Sequence, residues 1–227
     1  MAGAVIIGAG PGIGRSVARR FAREGLPVAL LARTRATVDA LAAEVTELGV
    51  PVVALTADTA DETALRTALD AAAAQLGEPD VLVYNAAIIR PDAPGELSVR
   101  EHQEAWAVNV VGAVNAAAHV GPGMARRGGG TILVTGGMPE TNPRYVSLSL
   151  GKAGVRAAVS LLDQEYGPAG VHVASVTVAG PVAPGTAFDP DVIAEYYWRL
   201  HTQPRERWQS ELLFSGLATA GSPGWLG

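Results

Sequence analysis

Six short apolar runs rich in β-branched residues alternate along the chain with longer periodic segments, and that order restricts the fold more than any other feature. Ala4 to Gly8, Pro27 to Ala32, Pro51 to Thr56, Asp80 to Asn85, Thr131 to Thr135 and Val171 to Thr177 read as strands. Ile13 to Glu24, Arg35 to Leu48, Asp61 to Gln75, Glu101 to Arg127 and Leu148 to Tyr166 read as helices, each long enough to hold once packed. Strands this apolar need cover on both faces, as in a parallel sheet with helices on each side and right-handed crossovers. The expected fold class is α/β, a doubly wound parallel sheet of six or seven strands.

With 227 residues, 48% of them hydrophobic and 17% charged, the chain has the core material for a single domain spanning 1–227. A formal charge of −5 and the lack of any long basic block argue against a nucleic-acid partner. No cysteine is present, and the four histidines are scattered without ligand spacing, so neither a disulfide frame nor a metal is expected. The apolar start, Met1 to Ile7, has no basic flank and runs into glycines, which reads as a buried strand and favours a cytoplasmic location. Ala105 to Val120 is the longest apolar run, but Asn109, Asn115 and His119 interrupt it, so no membrane span is expected. After Val178 a loop leads to a helix from Asp191 to Thr202 and a shorter one around Arg205 to Leu213. Residues 180–213 are expected on the substrate side, with Phe188, Tyr196, Tyr197, Trp198 and Trp208 either lining a pocket or filling core. The tail from Ser215 to Gly227 suggests no element.

Gly8, Gly12 and Gly14 fall between the first strand and the first helix. Glycine lets a backbone approach a pyrophosphate closely, and the amides that open the following helix supply donors and a favourable dipole. Ile13 and Arg15 flank that turn. The spacing is four then two, which differs from the common G-x-G-x-x-G pattern. At the end of the second strand a site for NAD would present a carboxylate to the ribose, yet Gly25 to Val38 contains none. Arg33 stands there instead, with Arg35 nearby and Arg15 after the glycine turn, and these guanidinium groups suit a 2′-phosphate. The cofactor expected is NADP(H).

These residues resemble the short-chain dehydrogenase/reductase family over most of the chain, and the resemblance implies a Rossmann-like sheet. The matching features are Gly8-x-x-x-Gly12-x-Gly14, Asp58 after the third strand, Asn85-Ala86-Ala87 after the fourth, Asn109 in the long helix, and Lys152. The resemblance implies that Asp58 lies near the adenine, that Asn85 and Ala86 steady the sheet and border the cofactor, and that Lys152 bonds the nicotinamide ribose. Composition independently singles out Lys152, the only lysine among 17 basic residues.

One departure matters as much as the match. The family places a tyrosine four residues before the lysine, where its pKa is lowered for proton transfer. Here that position is Leu148. The family's serine falls at Thr135 by spacing, or at Gly136 or Gly137 if the fifth strand is aligned. The chain is similar to a subset of the family that carries an apolar residue in place of the tyrosine. Tyr145 shares a helical face with Leu148 and Lys152 if the helix begins by Arg144, and would then offer a replacement acid. The catalytic candidates are thus Lys152, Asn109, Thr135 and Tyr145. The function expected is an NADP(H)-dependent oxidoreductase acting on a small carbonyl, imine or enone substrate with non-standard acid catalysis. The alternatives are a cofactor-binding sensor or scaffold without turnover, and a non-redox lyase or cyclase using the same pocket. The apolar surface of the helix from Glu101 to Arg127 suggests a homodimer or homotetramer.

Overall fold

The computed structural model describes residues 3–216. Seven parallel strands run in the order β3-β2-β1-β4-β5-β6-β7, with β1 Ala4–Ile7, β2 Val28–Ala32, β3 Val52–Thr56, β4 Val81–Tyr84, β5 Gly130–Gly137, β6 Val171–Val178 and β7 Glu211–Phe214. The first six meet the sequence expectation within a few residues at each end. β7 is a correction. The segment expected as a short helix around Arg205 to Leu213 is a single 3₁₀ turn, Arg205–Arg207, followed by an edge strand paired with β6. From residue 217 on, the tail lies outside the described residues.

Alternation along the strands sorts the core into two layers. Ala4 and Ile6 of β1, Val28 and Leu30 of β2, and Val81 and Val83 of β4 pack under α1 (Ile13–Arg23), α2 (Arg35–Thr46) and α7 (Pro190–His201). Val5, Ile7, Ala29, Leu31 and Leu82 face α3 (Glu62–Leu76), α5 (Gly112–Arg127) and α6 (Val146–Tyr166). The expected helix from Glu101 to Arg127 is divided: α4 (Val99–Trp106) passes through one π turn, Ala107–Val111, into α5. Asn109 lies within that turn.

Most helix starts are closed by their own side chains. Thr34 accepts from the Thr37 amide, Asp61 from Ala64, Ser98 and Glu101 form a reciprocal capping box, and Asp189 accepts from Asp191. α1 starts instead at Gly12, with no side-chain cap. The chain order reverses between β1 and β4, so α1's start opens at the point where a doubly wound sheet forms its crevice.

The segment 180–213 departs from its expected place. Gly180 to Val182 border the crevice, but α7 packs onto α1 and the sheet. Its aromatics are packing residues: Trp198 stands edge-on to Phe21 at 5.3 Å, Tyr196 to Phe214 at 5.0 Å, and Phe188 to Phe214 at 5.8 Å. Trp208 stacks on His172 at 4.7 Å. His201 bonds Thr131 at the N-terminal end of β5, remote from the crevice, and His119 pairs with Asp70 on the surface.

Candidate active site

A cleft of about 1380 Å³ crosses the C-terminal ends of the strands, from the β2–α2 turn to the β5–α6 loop. The glycines of the first turn have different jobs there. Gly8 has φ +82°, and a Cβ would fall 2.4 Å from the Ala86 nitrogen. A Cβ on Gly14 would fall 2.2 Å from the Gly8 carbonyl oxygen; this residue packs and does not border the cleft. Gly10 and Gly12 line the cleft, and a Cβ on either would meet no protein atom within 4 Å. No clash among the described residues accounts for the missing side chains at those two positions, whereas a closely approaching ligand would. Ile13 also lines the cleft.

Arg33 borders the other end beside Thr34 and Thr37, with no ion-pair partner among the described residues. Two expected cofactor contacts are corrected. Arg15 donates to Glu44 of α2 at 2.7 Å and does not line the cleft. Asp58 is exposed, with its carboxylate accepting from the Ala60 amide; its neighbours Ala57 and Thr59 border the cleft in its place. Asn85 and Ala86 both line it.

A chain of hydrogen bonds crosses beneath the cleft. Asn85 Nδ2 donates to the Gly8 carbonyl at 2.9 Å, and Thr135 Oγ1 donates to Asn85 Oδ1 at 2.8 Å. Because that bond uses the only hydroxyl hydrogen of Thr135, Tyr197 must be the donor in its 2.6 Å bond to Thr135 Oγ1. Burial pushes the Tyr197 phenol above its ordinary range, which keeps that proton in place. Thr135 is therefore corrected as a catalytic candidate: its hydroxyl is held inside the protein. Its carbonyl accepts from Lys152 Nζ at 2.6 Å. Burial pushes the Lys152 ammonium down to about 8.

Asn109 is also relocated. It is buried, does not border the cleft, and clamps the loop after β4: its Oδ1 accepts from the Ile88 amide at 2.7 Å and its Nδ2 donates to the Ile88 carbonyl at 3.2 Å. A Cβ on Gly151 would come within 2.9 Å of Asn109, so that glycine lets α6 lie against the π turn.

Leu148 lines the cleft one turn before Lys152, almost fully buried. The strand alignment of the missing serine is the one that meets the lysine, since a Cβ on Gly137 would stand 3.5 Å from Lys152 Cε. Tyr145 lines the cleft, but α6 begins at Val146 and Tyr145 has φ −145° and ψ 58°. The expected alignment of residues 145, 148 and 152 on one helical face is thereby corrected. Asp92, which carries no signal in the sequence, is buried and accepts from the amide and hydroxyl of Ser147, closing the start of α6. Tyr197, one aromatic among several in the sequence, holds Thr135 in place.

A doubly wound sheet with an uncapped glycine turn at its switch point and an unpaired guanidinium lining the same cleft defines a dinucleotide-binding protein. The chain belongs to the short-chain dehydrogenase family, whose sequence pattern matches residues 2–189, and it is an oxidoreductase of that type. It is 30% identical over 176 residues to D-threitol dehydrogenase of Mycolicibacterium smegmatis, covering 77% of this chain and 68% of that one. It superposes with a TM-score of 0.87 on an alcohol dehydrogenase from Thermococcus sibiricus complexed with 5-hydroxy-NADP, at 27% identity over 98% of this chain and 100% of the other. A metagenomic short-chain oxidoreductase in complex with NADP gives 0.86 at 25% identity over 96% and 98%.

Proposed function

We propose that the protein is an NADP(H)-dependent oxidoreductase of small carbonyl, imine or enone compounds, one of a subset of its family in which an apolar residue replaces the tyrosine. The observation that carries this is the pairing of Gly10 and Gly12, open to the cleft, with Arg33, unpaired at its far end. The residues fit a dinucleotide: the α1 amides would take the pyrophosphate, Arg33 the 2′-phosphate, and Lys152 the nicotinamide ribose. Bound there, the reduced cofactor supplies a hydride. The protein's part is orientation: Asn85, Thr135 and Tyr197 hold the lysine's carbonyl anchor and the glycine turn in one frame. Tyr145 also lines the cleft, off the helical face that carries Leu148 and Lys152, and adds its ring to the substrate wall.

Arg33→Ala tests the cofactor. A charge-assisted bond to a phosphate is worth roughly 1.5–3 kcal/mol, so NADPH affinity should fall about tenfold to a hundredfold while NADH affinity changes little. Titration of intrinsic tryptophan fluorescence with both nucleotides reads this, and equal losses for the two would refute the assignment of Arg33. Absence of binding by either nucleotide to the wild type would remove the oxidoreductase reading.

We also propose assembly as a homodimer or homotetramer. Val111 and Val114 at the start of α5, and Leu150 and Leu161 on α6, are large apolar side chains exposed on adjacent helices. Residues 150 and 161 share one helical face, so the two helices together offer a continuous stripe that a twofold axis would bury. Leu161→Glu should shift the protein to single chains in light scattering after gel filtration. A wild type already monomeric at high concentration would contradict this.

A further inference from the structure

Beside Lys152 the cleft lacks a free hydroxyl, and its exposed rim carries an unpaired carboxylate. Four places near Lys152 where a hydroxyl could act are without a free one. Leu148 has none, Gly136 and Gly137 have no side chain, and the Thr135 hydrogen goes to Asn85. The cleft wall beside them is apolar, formed in part by Ile89, Pro139 and Val182. Glu140 lines the exposed rim of the same cleft, and its carboxylate has no hydrogen-bond or ion-pair partner among the described residues. The nearby Arg156 guanidinium is turned to the carbonyls of Gly137 and Met138, at 3.3 Å each, and does not border the cleft. Tyr145 adds an aromatic ring to the cleft lining.

We infer that the substrate is an iminium cation, with Glu140 as its counter-ion in the cleft. This rests on the reductase reading above and makes it more specific. Hydride addition to a ketone builds an alkoxide and addition to an enone builds an enolate, and either product must then take a proton. Addition to an iminium builds no charge that needs one. The new C–H bond forms at the iminium carbon, the C=N π pair moves onto nitrogen to give a neutral amine, and the dihydronicotinamide is oxidised to the pyridinium. No proton is taken up, and the positive charge passes from substrate to cofactor. A site with Leu148 and two glycines where donors would stand loses nothing in that reaction. Glu140 gives it a reason to select the cation over an uncharged molecule of the same shape, and the Tyr145 ring adds to that preference.

The test has a binding arm and a turnover arm. With NADPH present, N,N-dimethyl tetrahydroisoquinolinium, which cannot accept hydride, is titrated calorimetrically against uncharged tetralone. The cation is expected to bind a few-fold more tightly, and Glu140→Gln to remove that preference, as loss of one charge pair at an exposed cleft rim would. In turnover, kcat/KM for N-methyl dihydroisoquinolinium should exceed that for tetralone by about a hundredfold or more, the size of an absent general acid. Equal binding of cation and ketone, a preference that survives in Glu140→Gln, or tetralone reduced as fast as the iminium would each overturn the inference while leaving the reductase reading intact. Failure of the wild type to bind NADPH would instead overturn the reading beneath it.

Discussion

Exchanging Lys152 for methionine is expected to flatten the protein's stability between pH 8 and pH 10.5 and to weaken its grip on NADPH, two effects with opposite consequences for the free and bound states. The ammonium sits in the interior with a single acceptor among the described residues, the Thr135 carbonyl, and burial lowers its pKa from 10.5 to about 8. Below about 8 both folded and unfolded chains carry the proton, so the full cost of burying the charge is present. As the pH rises from about 8 toward 10.5, the unfolded chain holds more protons than the folded one, and wild-type stability climbs by about 3 kcal/mol in total. Methionine fills similar space without titrating, so the variant lacks that climb. Urea denaturation of both proteins at pH 7 and at pH 10.5 reads the difference. The variant-minus-wild-type stability gap should become about 3 kcal/mol less favourable to the variant over that range. Parallel profiles would show that Lys152 titrates normally and that water reaches it freely. At neutral pH the same substitution removes the hydrogen bonds proposed to the ribose, and NADPH affinity should fall about tenfold to a hundredfold.

Lys152 was conspicuous as the only lysine, yet its environment was not readable from the chain. Its acceptor is the carbonyl of Thr135, and the Thr135 side chain is fixed by Asn85, 50 residues earlier, and Tyr197, 62 residues later. Spacing made Thr135 look like the one surviving hydroxyl, but only the fold shows that its hydrogen is already engaged. Tyr145 shows a smaller failure of the same kind. The shared helical face required the helix to begin by Arg144, and Asp92, distant in sequence, closes it at Val146 instead. The first six strands were legible because burial on both faces leaves an unbroken apolar run, as in Val81–Tyr84. β7 was not, because an edge strand of four residues, with Leu212 and Phe214 buried and Glu211 and Leu213 exposed, is too short for its alternation to stand out beside a 3₁₀ turn. The π turn had no sequence signature either, although it is what sets Asn109 against Ile88.

The glycine motif makes the sharpest contrast, since its members look equivalent in sequence and are opposite in structure. Gly8→Ala is expected to destabilise the fold by about 4 kcal/mol or more, the range reserved for backbone collisions and disallowed conformations. Its Cβ would lie 2.4 Å from the Ala86 nitrogen and 2.7 Å from the Ala86 Cα, both main-chain atoms that cannot turn aside, and φ is +82°. The clash falls at the junction of β1 and β4, the centre of the sheet, so relief would mean parting the strands that carry Asn85. Gly12→Ala should leave the fold much closer to wild type in urea denaturation than Gly8→Ala does, because the added methyl meets no described protein atom within 4 Å. That methyl would instead project into the cleft at the open start of α1, and NADPH affinity should fall by about tenfold or more. Undiminished NADPH binding in Gly12→Ala would move the pyrophosphate away from α1. A stable Gly8→Ala would show that β1 and β4 can separate at modest cost. The two outcomes together distinguish a glycine that lets the protein approach itself from one that leaves room for a ligand.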